Sequence, residues 1–212
     1  MKYQDIREKV IEASLKSNAL GLIHGTSGNI SMRDSKDDVV AITPSGIPYE
    51  TLTPEDIAIV DLDGNWLEGN FKPSSETPMH TAVYRSRSDV KAVVHTHSLF
   101  ATVMSMQLEN LKRATVPSNM YYPIKTAPFR MPGSDELAQI AVDTLGDLDV
   151  ILLQNHGLLA TAADMDAAME CAIYTEECAQ VAYYAELLKT DNYIPEEAAL
   201  KIRACAKGGN AV

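Results

Sequence analysis

Three histidines carry the chemistry most readily read from this chain. His95-Thr96-His97 ends an apolar, β-branched run, KAVVHTH. Side chains at i and i+2 of a strand point to one face, so both imidazoles can reach a single ion. An HxH pair alone is a weak signal, because a hydrogen-bonded structural histidine is the commoner case. His156 shifts the balance, because it ends a second buried run, VILLQNH, and Gly157 behind it allows a tight turn. Strand ends along one sheet edge are where α/β folds place their sites. Three neutral imidazoles that leave a coordination position open form the pattern of a catalytic zinc rather than a closed structural one. Manganese, cobalt and iron also accept imidazole, so zinc is the first expectation among several metals. Glu76, near a helix start, is the fourth candidate, as a metal ligand or as the acid/base beside the ion.

Hydroxyl- and glycine-rich turns accompany this set. Gly25-Thr26-Ser27-Gly28-Asn29 offers hydroxyls, an amide and glycines that let backbone approach a ligand closely. Thr43-Pro44-Ser45-Gly46 ends a strand with the same inventory, and Lys72-Pro73-Ser74-Ser75 leads into Glu76 with paired serines at a helix start. Such turns beside a three-histidine set suggest a small phosphorylated substrate docked next to a metal. The GxxxxGK[ST] pattern of a Walker A loop is absent. His80 follows Glu76 by one helical turn and shares its face, where orienting a neighbour or packing is expected ahead of ligation. His24, beside the glycine turn, is expected in a structural role ahead of touching substrate, and Tyr183 and Tyr184 in helix packing or an interface.

These residues need elements to hold them. Tyr3, Ile6, Val10 and Ala13 predict an opening helix that stops at Gly21. A glycine turn then leads to a short strand, VVAITPSG reads as a second strand, and IAIVDLDGNWLEG as a hairpin turning at Asp63-Gly64. A helix is expected from Ser74 or Ser75, with Pro78 tolerated in its first turn. KAVVHTH is a strand, SLFATVMSM a helix, SDELAQIAVDTLG a capped helix ending at Gly146, and VILLQNHG a buried strand. Asp164 caps a long helix to about Lys189, and PEEAALKIRACAKGG is a last short one. Strands and helices alternate in this reading, which predicts an α/β or α+β class with a sheet covered on both faces.

The bulk composition bounds the rest. With 212 residues, 46% of them hydrophobic and 22% charged, the chain suits one large domain over residues 1–212. Eighteen basic and 29 acidic residues give a net charge of −11, which disfavours nucleic acid and anionic membranes. No apolar run approaches the roughly 18 residues of a membrane span, and the N-terminus resembles no secretory or mitochondrial leader. Cys171, Cys178 and Cys205 are odd in number and sit in helix-like contexts, so packing rather than disulfides is expected. A cytoplasmic protein follows from these features.

The ordered set GTSGN, TPSGIPYE, KPSSE, HTH and NHG resembles the class II aldolase/adducin family, most closely its L-fuculose-1-phosphate aldolase branch, over roughly residues 5 to 190. The resemblance implies a three-layer sandwich whose central sheet is mixed and mostly antiparallel. It implies that His95, His97, His156 and Glu76 bind one metal per subunit, with Glu76 also the acid/base. Thr26, Gly28, Asn29, Ser45, Gly46, Ser74 and Ser75 then match phosphate-binding positions. Tyr121, with Tyr122 as its alternative in register, matches a tyrosine that enters the neighbouring subunit's site of a homotetramer. The implied reaction is reversible cleavage of a ketose 1-phosphate, such as L-fuculose 1-phosphate or a 5-deoxypentulose 1-phosphate, to dihydroxyacetone phosphate and a short aldehyde.

Two stretches depart from that branch. Its C-terminal tyrosine has no counterpart in RACAKGGNAV, and MYYPIKTAPFRMPG differs from its equivalent, so aldehyde specificity does not carry over. Pentulose-phosphate 4-epimerases on this scaffold usually have aspartate after the paired serines, and glutamate here favours the aldolase. Sugar-acid phosphate decarboxylases and methylthioribulose-1-phosphate dehydratases share the glutamate and stay open as alternatives. A cupin would place its glutamate shortly after HxH, where Leu99, Phe100 and Ala101 stand instead. An adducin-like, non-enzymatic binding module is the distant alternative, against which all three histidines and Glu76 speak.

Overall fold

Apolar residues alternate along the inner strands with period two, and each set has its own helical cover. In the computed structural model, which describes residues 1–34 and 36–208, helix α1 (Gln4–Ala19) leads into β1 (Asn29–Asp34), β2 (Val39–Ile42) and the hairpin of β3 (Ala58–Asp61) and β4 (Trp66–Glu68). Then follow α2 (Thr77–Ser86), β5 (Ala92–Thr96), α3 (Leu99–Ser105), β6 (Lys125–Ala127), α4 (Asp135–Leu145), β7 (Val150–Leu153), β8 (Gly157–Ala162), α5 (Met165–Leu187) and α6 (Glu196–Ala206). The strands form one sheet in the order β4-β3-β2-β1-β5-β8-β7-β6. Every pairing is antiparallel except β6 with β7.

The two faces carry separate cores. On β5, Ala92 and Val94 join Val10 of α1, Met104 of α3 and Met169, Ala172 and Ala179 of α5. Val93 faces the other way, with Met79 and Val83 of α2 and Leu137 and Leu145 of α4. Strand β7 divides likewise, Val150 and Leu152 to the first core and Ile151 and Leu153 to the second. Each fully buried aliphatic side chain contributes about 1.5–3 kcal/mol over its exposed state. The result is the mixed, mostly antiparallel three-layer sandwich that the resemblance implies.

Three details differ from the pattern read in sequence. Strand β8 follows β7 with no helix between them, because Gly157 starts β8 directly after a three-residue turn. Strands β6 and β8 carry no strand signal distinct from their neighbours. Helix α2 starts at Thr77, later than the serines predict: Glu76 occupies its N-cap position, and its side chain caps nothing because it turns toward the histidines. Elsewhere Ser134 and Asp164 cap α4 and α5 by accepting from Leu137 N and Ala167 N, as their sequence positions predict. No helix among the described residues is long and apolar enough to cross a membrane. Residues 209–212, the end of the tail that lacks the tyrosine, lie outside the described residues.

Candidate functional site

His95 lies in β5, His97 just beyond its end, and His156 in the turn between β7 and β8. That turn closes tightly because residue 157 is glycine. A Cβ there would stand 2.0 Å from the Thr96 carbonyl oxygen and 3.1 Å from His97 Cα, so any side chain would push His156 away from β5. The three imidazoles converge, with ring centroids 4.6–4.9 Å apart and planes 66–71° to one another.

Ligand-type atoms of Glu76, His95, His97 and His156 all lie within 4.8 Å of one another. His95 Nδ1 sits 2.7 Å from the Leu158 carbonyl, which makes Nδ1 the donor and turns the Nε2 lone pair inward. His95 Nε2 is 3.0 Å from His97 Nε2 and 3.1 Å from Glu76 Oε2, and His156 Nε2 is 3.3 Å from Glu76 Oε1. Ligands at about 2.0–2.1 Å around a tetrahedral ion stand about 3.3–3.4 Å apart, close to these edges. Glu76 Oε1 is buried without a hydrogen-bond partner. The donor set, the inward nitrogens and this unpartnered oxygen fit a divalent metal.

The electrostatics suit neutral ligands. Burial first, then the neighbouring His95, lowers the pKa of His97 to about 4 and that of His156 to about 3, with Glu76 opposing both shifts. Burial pushes the Glu76 carboxyl up, but His95, His156 and the Asn29 amide outweigh it and hold the carboxyl well below its ordinary range.

Beside this cluster lies a cavity of about 230 Å³. The glycine turn brings Thr26, Gly28 and Asn29 to it, the turn after β2 brings Ser45 and Gly46, and the approach to α2 brings Ser74 and Ser75; Glu76, His97, His156 and Pro132 also line it. Two of the turns are clamped together by Ser45 N to Lys72 O and Ser74 N to Thr43 O, both 3.1 Å. Gly28 must be glycine, since a Cβ would stand 2.8 Å from the His95 carbonyl at φ +80°. Among the described residues no lysine or arginine lines the cavity, so hydroxyls and backbone amides are its donors toward an anion.

Asn29 differs from a free donor. Its Nδ2 gives a 2.9 Å bond to Glu76 Oε2 and its Oδ1 lies 2.6 Å from His80 Nε2. His80 is therefore the residue whose weight the sequence understates: it is fully buried, touches Asn29 rather than the cluster, and its i+4 spacing from Glu76 was the available signal. Tyr49, in the TPSGIPYE stretch, anchors the glycine turn through a 2.8 Å bond to the Gly28 carbonyl.

Tyr121 is not brought to the cluster within one chain. It ends a 3₁₀ turn, Pro117–Tyr121, and lines a cavity with Asp89, Asp149 and Thr161. That cavity lies where β5 and β7 begin and β8 ends, the opposite edge of the sheet from the histidines. Tyr122 is buried and donates a 3.0 Å bond to Glu196.

Comparison with known proteins bears on the family and the fold. Residues 8–183 match the family model described as Class II Aldolase and Adducin N-terminal domain. The chain is 37% identical over 198 residues, 93% of each chain, to a protein of Bacillus thuringiensis serovar kurstaki named 5-deoxy-D-ribulose 1-phosphate aldolase. It is 36% identical over 198 residues, 90% of this chain and 88% of the other, to the L-fuculose phosphate aldolase of Escherichia coli strain K12. A solved structure named L-fuculose 1-phosphate aldolase superposes with a TM-score of 0.93 at 31% identity, covering 98% of both chains.

Proposed function

We propose, from the premise that this chain belongs to the class II aldolase and adducin family and is an aldolase-type lyase, that it reversibly cleaves a ketose 1-phosphate to dihydroxyacetone phosphate and a short aldehyde. One observation carries the reading: Glu76, His97 and His156 open onto the same cavity as the serine- and glycine-rich turns. The names of the relatives favour a 5-deoxypentulose 1-phosphate or L-fuculose 1-phosphate as substrate. The chain acts as one domain over residues 1–212.

His95, His97, His156 and Glu76 would hold one divalent ion, zinc before manganese, cobalt or iron. When bound, such an ion supplies Lewis acidity to a substrate carbonyl. Thr26, Gly28, Ser45, Gly46, Ser74 and Ser75 bind the phosphate with hydroxyl and amide donors, which tolerates the chain's negative charge. Glu76 would move the proton at the donor carbon: in cleavage the C3–C4 bond breaks, the C4 hydroxyl gives its proton to solvent as it becomes the aldehyde, and Glu76 takes one from solvent and passes it to C3, so one proton moves net from the C4 oxygen to C3. One Glu76 oxygen is tethered by Asn29 while Oε1 has no hydrogen-bond partner, which suits a group that must exchange a proton. Tyr121 can serve the C4 hydroxyl only in a neighbouring subunit's site, given its place at the other edge of the sheet. A homotetramer in the cytoplasm is the assembly and location this reading takes.

Metal analysis with a panel of ketose 1-phosphates tests the proposal. About one divalent ion per chain and chelator-sensitive release of dihydroxyacetone phosphate are expected. Decarboxylation, dehydration or C4 epimerisation without that product would replace the aldolase with one of its scaffold relatives.

A further inference from the structure

Beneath Glu76 an unbroken line of buried polar side chains runs between α2 and β1. Asn29 Nδ2 donates to Glu76 Oε2 at 2.9 Å, and Asn29 Oδ1 meets His80 Nε2 at 2.6 Å. His80 Nδ1 meets Ser31 Oγ at 2.7 Å, and Ser31 Oγ meets the Tyr84 hydroxyl at 2.8 Å. His80 and Ser31 are 0% exposed, Tyr84 1%, and Asn29 and Glu76 5% each, so water does not compete for these bonds.

The match is geometric. Glu76, His80 and Tyr84 recur every four residues, about 6 Å of helix rise, while Asn29 and Ser31 are two residues apart on one face, about 6.8 Å of strand. Asn29 also pairs across the sheet with His95, which ties the line to the cluster.

The bonds have a single sense. A carboxylate only accepts, so the Asn29 amide must present Nδ2 to Glu76 and Oδ1 to His80. That oxygen requires a proton on His80 Nε2. A neutral ring then has an acceptor at Nδ1, which Ser31 must satisfy with its hydroxyl proton, leaving Tyr84 to donate to Ser31. We propose that His80 is a positioning residue, held as the neutral Nε2–H tautomer, that locks Asn29 and through it orients the Glu76 carboxylate. Burial lowers the His80 pKa to about 3, and it raises that of Tyr84 well above the ordinary phenol value, in keeping with a neutral ring and a donating hydroxyl. The inference rests on the reading of Glu76 as ligand and acid/base.

Two substitutions separate positioning from packing. In H80Q the amide nitrogen falls near the place of Nε2 and keeps a donor toward Asn29. In H80N the amide falls near Nδ1 and keeps only the Ser31 side. H80N should lower kcat and zinc affinity by on the order of 10–100-fold with little change in KM, and H80Q should exceed H80N by at least about 10-fold in both. Equal losses in both variants, at matched thermal midpoints, would overturn the proposal. Nitrogen-15 NMR of the unsubstituted, metal-free protein gives a reading independent of variant folding and of turnover. A neutral ring protonated on Nε2 is expected at neutral pH, and a ring protonated on Nδ1 or on both nitrogens would overturn the assignment. A protein without aldolase activity that still showed this tautomer and this order of zinc affinities would sink the proposed reaction while leaving the positioning role standing.

Discussion

On the face of the sheet covered by α1, α3 and α5, Val94, Leu152, Leu158 and Ala160 meet Met169, Ala172 and Ala179, and the filling is almost wholly apolar. Its buried hydroxyls form no line: Ser14 bonds Val10 O one turn back, Ser17 reaches across to Met169 Sδ on α5, and Thr175 Oγ1 has no hydrogen-bond partner among the described residues. On the face covered by α2 and α4, the filling is equally apolar around Val93, Ile151 and Leu145 but changes along β1. There Asn29, Ser31, His80 and Tyr84 replace hydrocarbon with directed bonds. Apolar contact fills space without fixing an angle, whereas a satisfied buried hydrogen-bond line fixes both the rotamer and the facing of each member. The contrast assigns stability to the first face and the aim of Glu76 to the second.

The largest expected effect tests the second face at its tip. Glu76→Gln keeps the shape but removes the carboxylate, and kcat should fall on the order of 10²–10⁴-fold. The fold should survive, as judged by circular dichroism and thermal melting. Full turnover in a variant that still binds metal would remove Glu76 from the proton transfer.

Met169→Ala is the matching test of the first face. Met169 is 1% exposed, and its truncation should destabilise the protein by about 2–5 kcal/mol in chemical denaturation. The kcat of the folded fraction should not change, because α5 starts at the far edge of the sheet from the histidines. A loss of kcat as large as that of Glu76→Gln would erase the division between the faces.

Gly157→Ala lies where the faces meet. Its Cβ would overlap the Thr96 carbonyl, so β5 and the β7–β8 turn must part, at about 3 kcal/mol of stability. Metal affinity should drop with it, since His156 rides on the displaced turn. Unchanged zinc binding by calorimetry would show that the turn is more pliant than its packing indicates.

Much of this was legible in the sequence, for reasons that differ by residue. HTH and NHG stand at the ends of β-branched runs, and strand periodicity alone puts the two histidines of the first motif on one face. The turns were legible only as a set: a glycine- and serine-rich strand end is ordinary by itself, and three of them beside the histidines pointed to one cavity. Strand β8 was not, since GLLATA follows its turn with no spacer and reads as the tail of the preceding run. The role of His80 was half-visible: spacing placed it under Glu76, but its partner Asn29 sits 51 positions away, a pairing that only the β1–α2 contact creates. The distance of Tyr121 from its own chain's cluster depends on sheet topology, which local pattern does not encode.

The faces should also differ in pH response. An unfolded histidine titrates near 6.5, whereas His97 is lowered to about 4 and His80 and His156 to about 3. Between those values the unfolded chain binds more protons, so metal-free protein should lose stability as pH falls from about 6.5 toward about 3. Melting midpoints that stay level from pH 7 to pH 4 would show that these rings accept protons in the folded state. The apolar face has no part in this dependence, so Met169→Ala should lower the whole curve without changing its slope.

The smallest effect belongs to Tyr84→Phe, at the far end of the polar line. Ser31 loses one incoming bond but can still donate to His80, so neither His80 nor Asn29 must turn. Stability should fall by about 0.5–1.5 kcal/mol. Each bond in such a chain strengthens the next by about 10–30%, and three bonds separate Ser31 from Glu76. The kcat should therefore fall less than about twofold. A tenfold loss would mean that the line works as one cooperative unit, and a double-mutant cycle with H80N would then show coupling well above additivity. A stability loss above about 3 kcal/mol with unchanged kcat would instead make Tyr84 a packing residue, and the polar line would effectively start at Ser31.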